Sequence, residues 1–231
     1  MQRSFKYGSE EITYTLKYSN RKTLGISVHP DRSTEVNAPE GSSLEKIEAK
    51  VRKRAGWILR QRDHFLAFEP RNTKRRYLSG ESHLYLGRQY QLKLVSSNEE
   101  QVKHTGRCFE VRTQNKDKAQ ELMEQWYLEK SRIWFKTLGT PLIERFKKYK
   151  VEPSRIEIRK MNYRWGSCSP QGRILLNPEL IKAPKACIEY VIIHELCHLV
   201  HQDHTKAFFD LQQREFPEWK KWKDKLENLL A

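Results

Sequence analysis

Four cysteines in 231 residues (Cys108, Cys168, Cys187 and Cys197) make no C-x-x-C pair and show no disulfide-framework spacing. A disulfide-stapled secreted scaffold is therefore not expected, and neither is a cysteine-built zinc finger. Long apolar runs are also missing. No stretch approaches the ~20 residues that a membrane span needs, and the opening Met1-Gln-Arg-Ser-Phe-Lys-Tyr-Gly has no apolar core of a signal peptide. The chain reads as a cytoplasmic protein with no membrane part. It contains no internal repeat, no low-complexity tract and no G-x-x-x-x-G-K-[ST] phosphate loop. Acidic residues are in deficit, 29 against 44 basic, for a formal charge of +15. Such an excess favours polyanionic neighbours and makes a nucleic acid or nucleotide a possible partner through the basic surface. A merely solvated basic face explains the same balance.

What is present is concentrated near the C-terminal end. Four of the eight histidines fall between His194 and His204, behind the apolar run Val191-Ile192-Ile193. His194, Glu195 and His198 form H-E-x-x-H. On a helix, residues four apart share a face, so both imidazoles can reach one ion. Glu195 points to the side of the pair, where a carboxylate can serve as general base without ligating the metal. A catalytic zinc ordinarily takes three protein ligands and keeps one position open. His201 would lie roughly 10 Å further along an unbroken helix, too far to join. His204 follows His198 by six residues and is assigned as the third ligand. That spacing is similar to the metzincin proteases, which carry Gly at the turn where this chain has His201. Asp203 and Asp210 are candidates for orienting a ligand histidine from behind. Tyr163, Arg164, Tyr190 and His201 are candidates for stabilising an oxyanion. The Arg164–Cys168 stretch either lines the cleft or braces the metal helix, and its Trp and Gly favour bracing.

Around this motif the periodicities predict an α+β chain. Strands are expected over Phe5–Tyr18, Leu24–His29, Glu35–Ala38, Ser82–Val95 and Cys108–Arg112. One helix, opened by Ser43, is expected to run through Ile47, Val51, Ala55, Ile58 and Leu59, with Lys46, Lys50, Arg52, Lys53, Arg54, Arg60 and Arg62 on its other face. From Asp117 a helix is predicted to end near Gly139-Thr-Pro141, and a second one to follow from Leu142 to Lys150. Short strands at Ile156–Lys160 and Arg173–Asn177 precede the metal helix. The latter offers an edge against which an extended peptide could pair. The boundary between a β-rich N-terminal domain with one basic helix and a C-terminal metal-binding domain is placed at 115/116.

The stretches YRWGSCSPQGRILLNPEL (163–180) and YVIIHELCHLVHQDHTKAFF (190–209) together resemble the YgjP-like zinc metallopeptidases, relatives of the SprT-like and WLM proteases. TLGISVHPD, VNAPEG and YLGRQYQLKL, nearer the N-terminus, resemble the same family. The resemblance implies a zincin-like catalytic domain behind the β-rich half. It also implies Zn2+ held by His194, His198 and His204, with Glu195 as base and a protein or peptide as substrate. Two other readings of the same residues are a metal-dependent hydrolase of nucleoside triphosphates and a non-catalytic, zinc-stabilised nucleic-acid binder using residues 46–76.

Overall fold

Alternation along Glu10–Ser19 sets the first sheet. Ile12, Tyr14 and Leu16 point inward from every second position, which gives a strand one buried face. In the computed structural model, residues 1–8, 10–29, 32–66, 75–162 and 164–230 are described, the side chains of 63–66 excepted. Two compact units are present, Met1–Arg71 and Asn72–Leu230.

The first unit is a four-stranded sheet with two helices. Strands β1 (Gln2–Tyr7), β2 (Glu10–Ser19), β3 (Gly25–Val28) and β4 (Thr34–Pro39) are arranged β1-β2-β4-β3. β1 and β3 run antiparallel to their neighbours, and β2 and β4 pair in parallel. The helical stripe Ile47, Val51, Ala55 and Ile58 closes the sheet's inner face. It belongs to two helices, not the single one expected: α1 (Leu44–Lys53) ends at Arg54, whose φ of −99° and ψ of 3° break the ladder before α2 (Ala55–Leu66). The stripe survives because the interruption costs no apolar position. Pro30 and Asp31, expected as turn residues, and most of the basic connector 70–76 lie outside the described residues.

In the second unit, β5 (Ser82–Tyr85) and β6 (Arg88–Val95) form a hairpin where a single strand was expected. Leu86 and Gly87, at φ 49° and 82°, make its turn. With β7 (Gln101–His104), absent from the sequence reading, and β8 (Cys108–Arg112) they give the order β5-β6-β8-β7. This sheet packs on α3 (Ala119–Phe146) through Leu92, Phe109, Val111, Met123, Trp126 and Tyr127. The unit boundary therefore falls before residue 72 and not at 115/116: a sheet whose buried face is completed by α3 cannot be divided from it. α3 also runs unbroken through Pro141, where two helices were predicted. Pro141 offers no N–H to the Thr137 carbonyl, so the helix forgoes one ladder bond there. Packing of Leu142 and Phe146 into the core holds the last turns.

A three-stranded sheet follows: β9 (Arg155–Ile158), β10 (Gly166–Cys168) and β11 (Arg173–Leu176), in the order β10-β11-β9. β11, the strand nearest the metal helix in sequence, has a neighbour on each side. The free edge beside that helix belongs to β10. After a 3-10 turn at Pro178–Lys182 come α4 (Lys185–Val200), α5 (Lys206–Glu215) and α6 (Trp219–Leu230). α4 is apolar on nearly every side, with Ile188, Val191, Ile192, Ile193, Leu196 and Cys197 buried, and so lies at the centre of its unit. Each such aliphatic side chain stabilises the helix's position by about 1.5–3 kcal/mol. The start of α4 is fixed as well. Leu86 and Gly87 donate to the carbonyls of Ile181 and Lys182, and a Cβ on Gly87 would lie 2.6 Å from Pro184 Cγ.

The end of α5 is tied to α3 through Glu215, 3% exposed. Its carboxylate meets Arg145 Nε at 3.1 Å and Lys148 Nζ at 2.9 Å, and accepts from Tyr149 Oη at 2.5 Å. Burial pushes its pKa up, but the bonds from Lys148 and Tyr149 and the charges of Lys148 and Arg145 outweigh that and hold it below the usual carboxylate value. A depressed carboxylate stabilises the fold above its unfolded pKa, and the contribution is lost as pH falls from there through the folded pKa. Glu215→Gln is therefore expected to cost about 1–3 kcal/mol at neutral pH, the cations being half exposed, and almost nothing at a pH below the folded pKa of Glu215. Urea denaturation at the two pH values measures the difference. No helix among the described residues is long and apolar enough to cross a membrane.

Candidate metal centre

Helical spacing places His194 and His198 one turn apart on α4, with ring centroids 5.0 Å apart. The helix stops at His201, whose extended backbone (φ −131°, ψ 106°) turns the chain back. Gln202–His204 make the return, and Thr205 caps α5 by accepting from the Phe208 amide. This sharp stop brings His204 to the other two. Its Nε2 lies 3.1 Å from His194 Nε2, and one ligand atom from each of the three histidines falls within a 4.8 Å group. Phe208 packs against all three rings from α5 and limits their rotation.

Two rings are held from behind. His194 Nδ1 is 2.8 Å from Gln212 Oε1, and His198 Nδ1 is 3.3 Å from the His201 carbonyl. An oxygen at each Nδ1 requires the proton there, which leaves Nε2 as a bare lone pair. Burial drives the His194 pKa down to about 4 against the opposing Gln212 bond, and burial followed by the charge of His204 lowers that of His198. Both rings are thus neutral at physiological pH, the form a metal requires. Two nitrogens bound to one tetrahedral ion at 2.0–2.1 Å stand about 3.3 Å apart. The His194–His204 separation is close to that value, so the donor set fits a small divalent cation.

Glu195 turns from the histidine face toward β10 and is 4% exposed. It fits there because position 166 is glycine: a Cβ would lie 2.5 Å from Glu195 Oε1 and 2.9 Å from its Cδ. Burial pushes the carboxyl pKa up to about 8, opposed by the Arg164 guanidinium. An open cleft of about 440 Å³ lies over these groups, lined by Arg164–Cys168, Tyr190, Val191, His194, Glu195, His198, Gln202 and His204. The Arg164–Cys168 stretch therefore both lines the cleft and, through Gly166, braces the helix. Tyr190 is at the cleft, its ring 6.0 Å from that of His194, and burial raises its pKa well above the usual phenol value. Tyr163 lies outside the described residues.

Neither aspartate has the expected place behind a ligand ring. Asp210 is exposed on α5, and Asp203 acts on His198 only through its charge. Gln212, which the sequence reading passed over, and the His201 backbone take those places. Gln212→Leu is expected to weaken metal affinity by about 10–100-fold, and Gln212→Glu, which keeps an acceptor oxygen, to restore most of it. Competition with a chromogenic chelator measures both.

Three convergent imidazole nitrogens, two from α4 and one from the return after it, with a buried carboxylate on the same helix under an open cleft, are the parts of a metal-dependent peptidase. The model of the YgjP-like metallopeptidase domain matches residues 22–229, and the chain belongs to that family. No match was found among curated proteins. Among solved structures, the metallopeptidase zymogen of Pyrococcus abyssi, abylysin, is similar at 26% identity and a TM-score of 0.36. That similarity covers 39% of this chain and 94% of the other.

Proposed function

We propose that this chain is a zinc-dependent peptidase with a zincin-like centre, in which His194, His198 and His204 hold the ion and Glu195 is the general base. The observation that carries this reading is the 3.1 Å approach of His204 to His194 beside the buried Glu195 carboxylate. Zinc is the metal that an all-imidazole, tetrahedral donor set with an open fourth position suits best. When bound, it supplies Lewis acidity that acidifies a water and polarises the scissile carbonyl.

The protein's own groups do the rest. Glu195 takes the proton of the attacking water on its carboxylate, and the burial of that side chain keeps the proton from bulk solvent until the leaving amine receives it. The positive charge held by the histidines opposes the burial that would otherwise keep Glu195 protonated. Among the described residues nothing pairs with the outer edge of β10 at the cleft, so a substrate in extended form would align by backbone hydrogen bonds along Gly166–Cys168. Arg164 and Tyr190 line the same cleft, and each would donate to the developing oxyanion.

The test is incubation of the full chain with an unfolded protein and, separately, with nucleoside triphosphates, before and after chelation. Cleavage of the unfolded protein that chelator abolishes and zinc restores is the expected result. Release of phosphate or pyrophosphate with no peptide cleavage would overturn the assignment.

A further inference from the structure

The first unit carries a surface that peptide hydrolysis does not use. At the α1–α2 junction Lys50, Lys53 and Arg54 stand at positions i, i+3 and i+4, on one face. They rim a cavity of about 700 Å³ floored by Leu24 and Ile26, on and beside the edge strand β3, and by the partly exposed Trp57 of α2. The Arg21 guanidinium lies over Gly25 on the same strand, 2.7 Å from where a Cβ would stand.

Several other cations of the unit are engaged by neighbours. Lys17 pairs with Glu35, Arg62 donates to the Thr13 carbonyl and the Thr34 hydroxyl, and Arg52 reaches the Lys6 carbonyl over the Phe5 ring. Lys50, Lys53 and Arg54 have no carboxylate or side-chain hydrogen-bond partner among the described residues. Like charges at such spacings repel one another and destabilise the helix. Lys50 and Lys53 stand in the last turn of α1, where the helix dipole favours cations, and an anion bound across the three charges would relieve their mutual repulsion.

We propose that this surface binds single-stranded nucleic acid. Its chemistry is recessed and apolar with one indole at the floor, and cationic at the rim. A polymer with flat aromatic groups on an anionic backbone matches both parts at once: a base against Trp57, phosphates on Lys50, Lys53 and Arg54. An acidic polypeptide supplies the charge but not the ring. In a duplex the base faces are already stacked.

The test is fluorescence anisotropy of the full chain with a labelled oligothymidylate of about 20 nucleotides, titrated at several salt concentrations upward from about 50 mM. Wild type is expected to bind with an affinity that falls steeply with salt. Lys50→Glu/Lys53→Glu should bind at least about tenfold more weakly, with a log–log salt slope shallower by about 1.4 for two lost phosphate contacts. Trp57→Phe should retain binding better than Trp57→Leu. An equal charge change on exposed positions of the other unit, Arg107→Glu/Lys116→Glu, should alter affinity by less than about twofold. Three results would each overturn the proposal: no binding at the lowest salt, equal weakening by the two charge-reversed variants, or competition by polyglutamate or duplex DNA as strong as by unlabelled oligothymidylate. Melting temperatures equal to wild type show that the charge variants are folded.

Discussion

Glu195→Gln is expected to bind one metal ion as wild type does and to hydrolyse peptide bonds about 10²–10⁴-fold more slowly. Glutamine has the shape of the glutamate, so the contact with Gly166 and the positions of His194 and His198 persist. What is lost is the proton acceptor. The substitution also separates function from stability. In the metal-free protein, burial raises the Glu195 pKa to about 8, so folding disfavours its ionised form at neutral pH. A carboxyl group with a raised folded pKa contributes most below its unfolded pKa, and that contribution is lost as pH rises through the folded value. Metal-free wild type should therefore lose stability relative to metal-free Glu195→Gln between about pH 4.5 and 8. Denaturant midpoints at three pH values, beside turnover on an unfolded protein, measure both effects. Near-normal turnover by the amide variant would remove Glu195 as base.

Gly166→Ala is expected to lower turnover by about 10²-fold while leaving metal binding intact. Gly166 does not use the positive-φ conformations that exclude alanine, so the backbone of β10 accepts the new residue. The methyl group instead meets the Glu195 carboxylate at 2.5 Å, and either the strand or the carboxylate must move. A displacement of about 1 Å in a catalytic group costs about 10²-fold in rate. Gly166→Ala combined with Glu195→Gln should then be little slower than Glu195→Gln alone, because both changes act on one group. Full additivity of the two losses would place the effect of Gly166 elsewhere.

The centre was legible where its geometry is local. His194, Glu195 and His198 belong to one helix whose period fixes their relation, and the six-residue gap to His204 is short enough to read as a return of the chain. Gln212 was not legible, because its place behind His194 depends on how α5 docks after the turn at His201. β10 was not legible as the free edge either: strand order is a tertiary property, and β11, nearer in sequence, occupies the middle of its sheet. The breaks followed similar lines. Pro141 suggested a helix end, but buried neighbours carry α3 through it, while at Arg54 a continuous apolar stripe concealed a real interruption. The boundary near 115 followed composition, from strand-rich to helix-rich. The cores follow packing, and α3 completes the sheet that precedes it.

Zinc K-edge absorption of the purified full chain, reconstituted with one equivalent of the metal, tests the central claim most directly. The three-histidine centre predicts only nitrogen and oxygen neighbours at about 2.0–2.1 Å, with one imidazole fewer in His204→Ala. A sulfur neighbour near 2.3 Å, from Cys168 or Cys197, or a spectrum unchanged in His204→Ala, would contradict it.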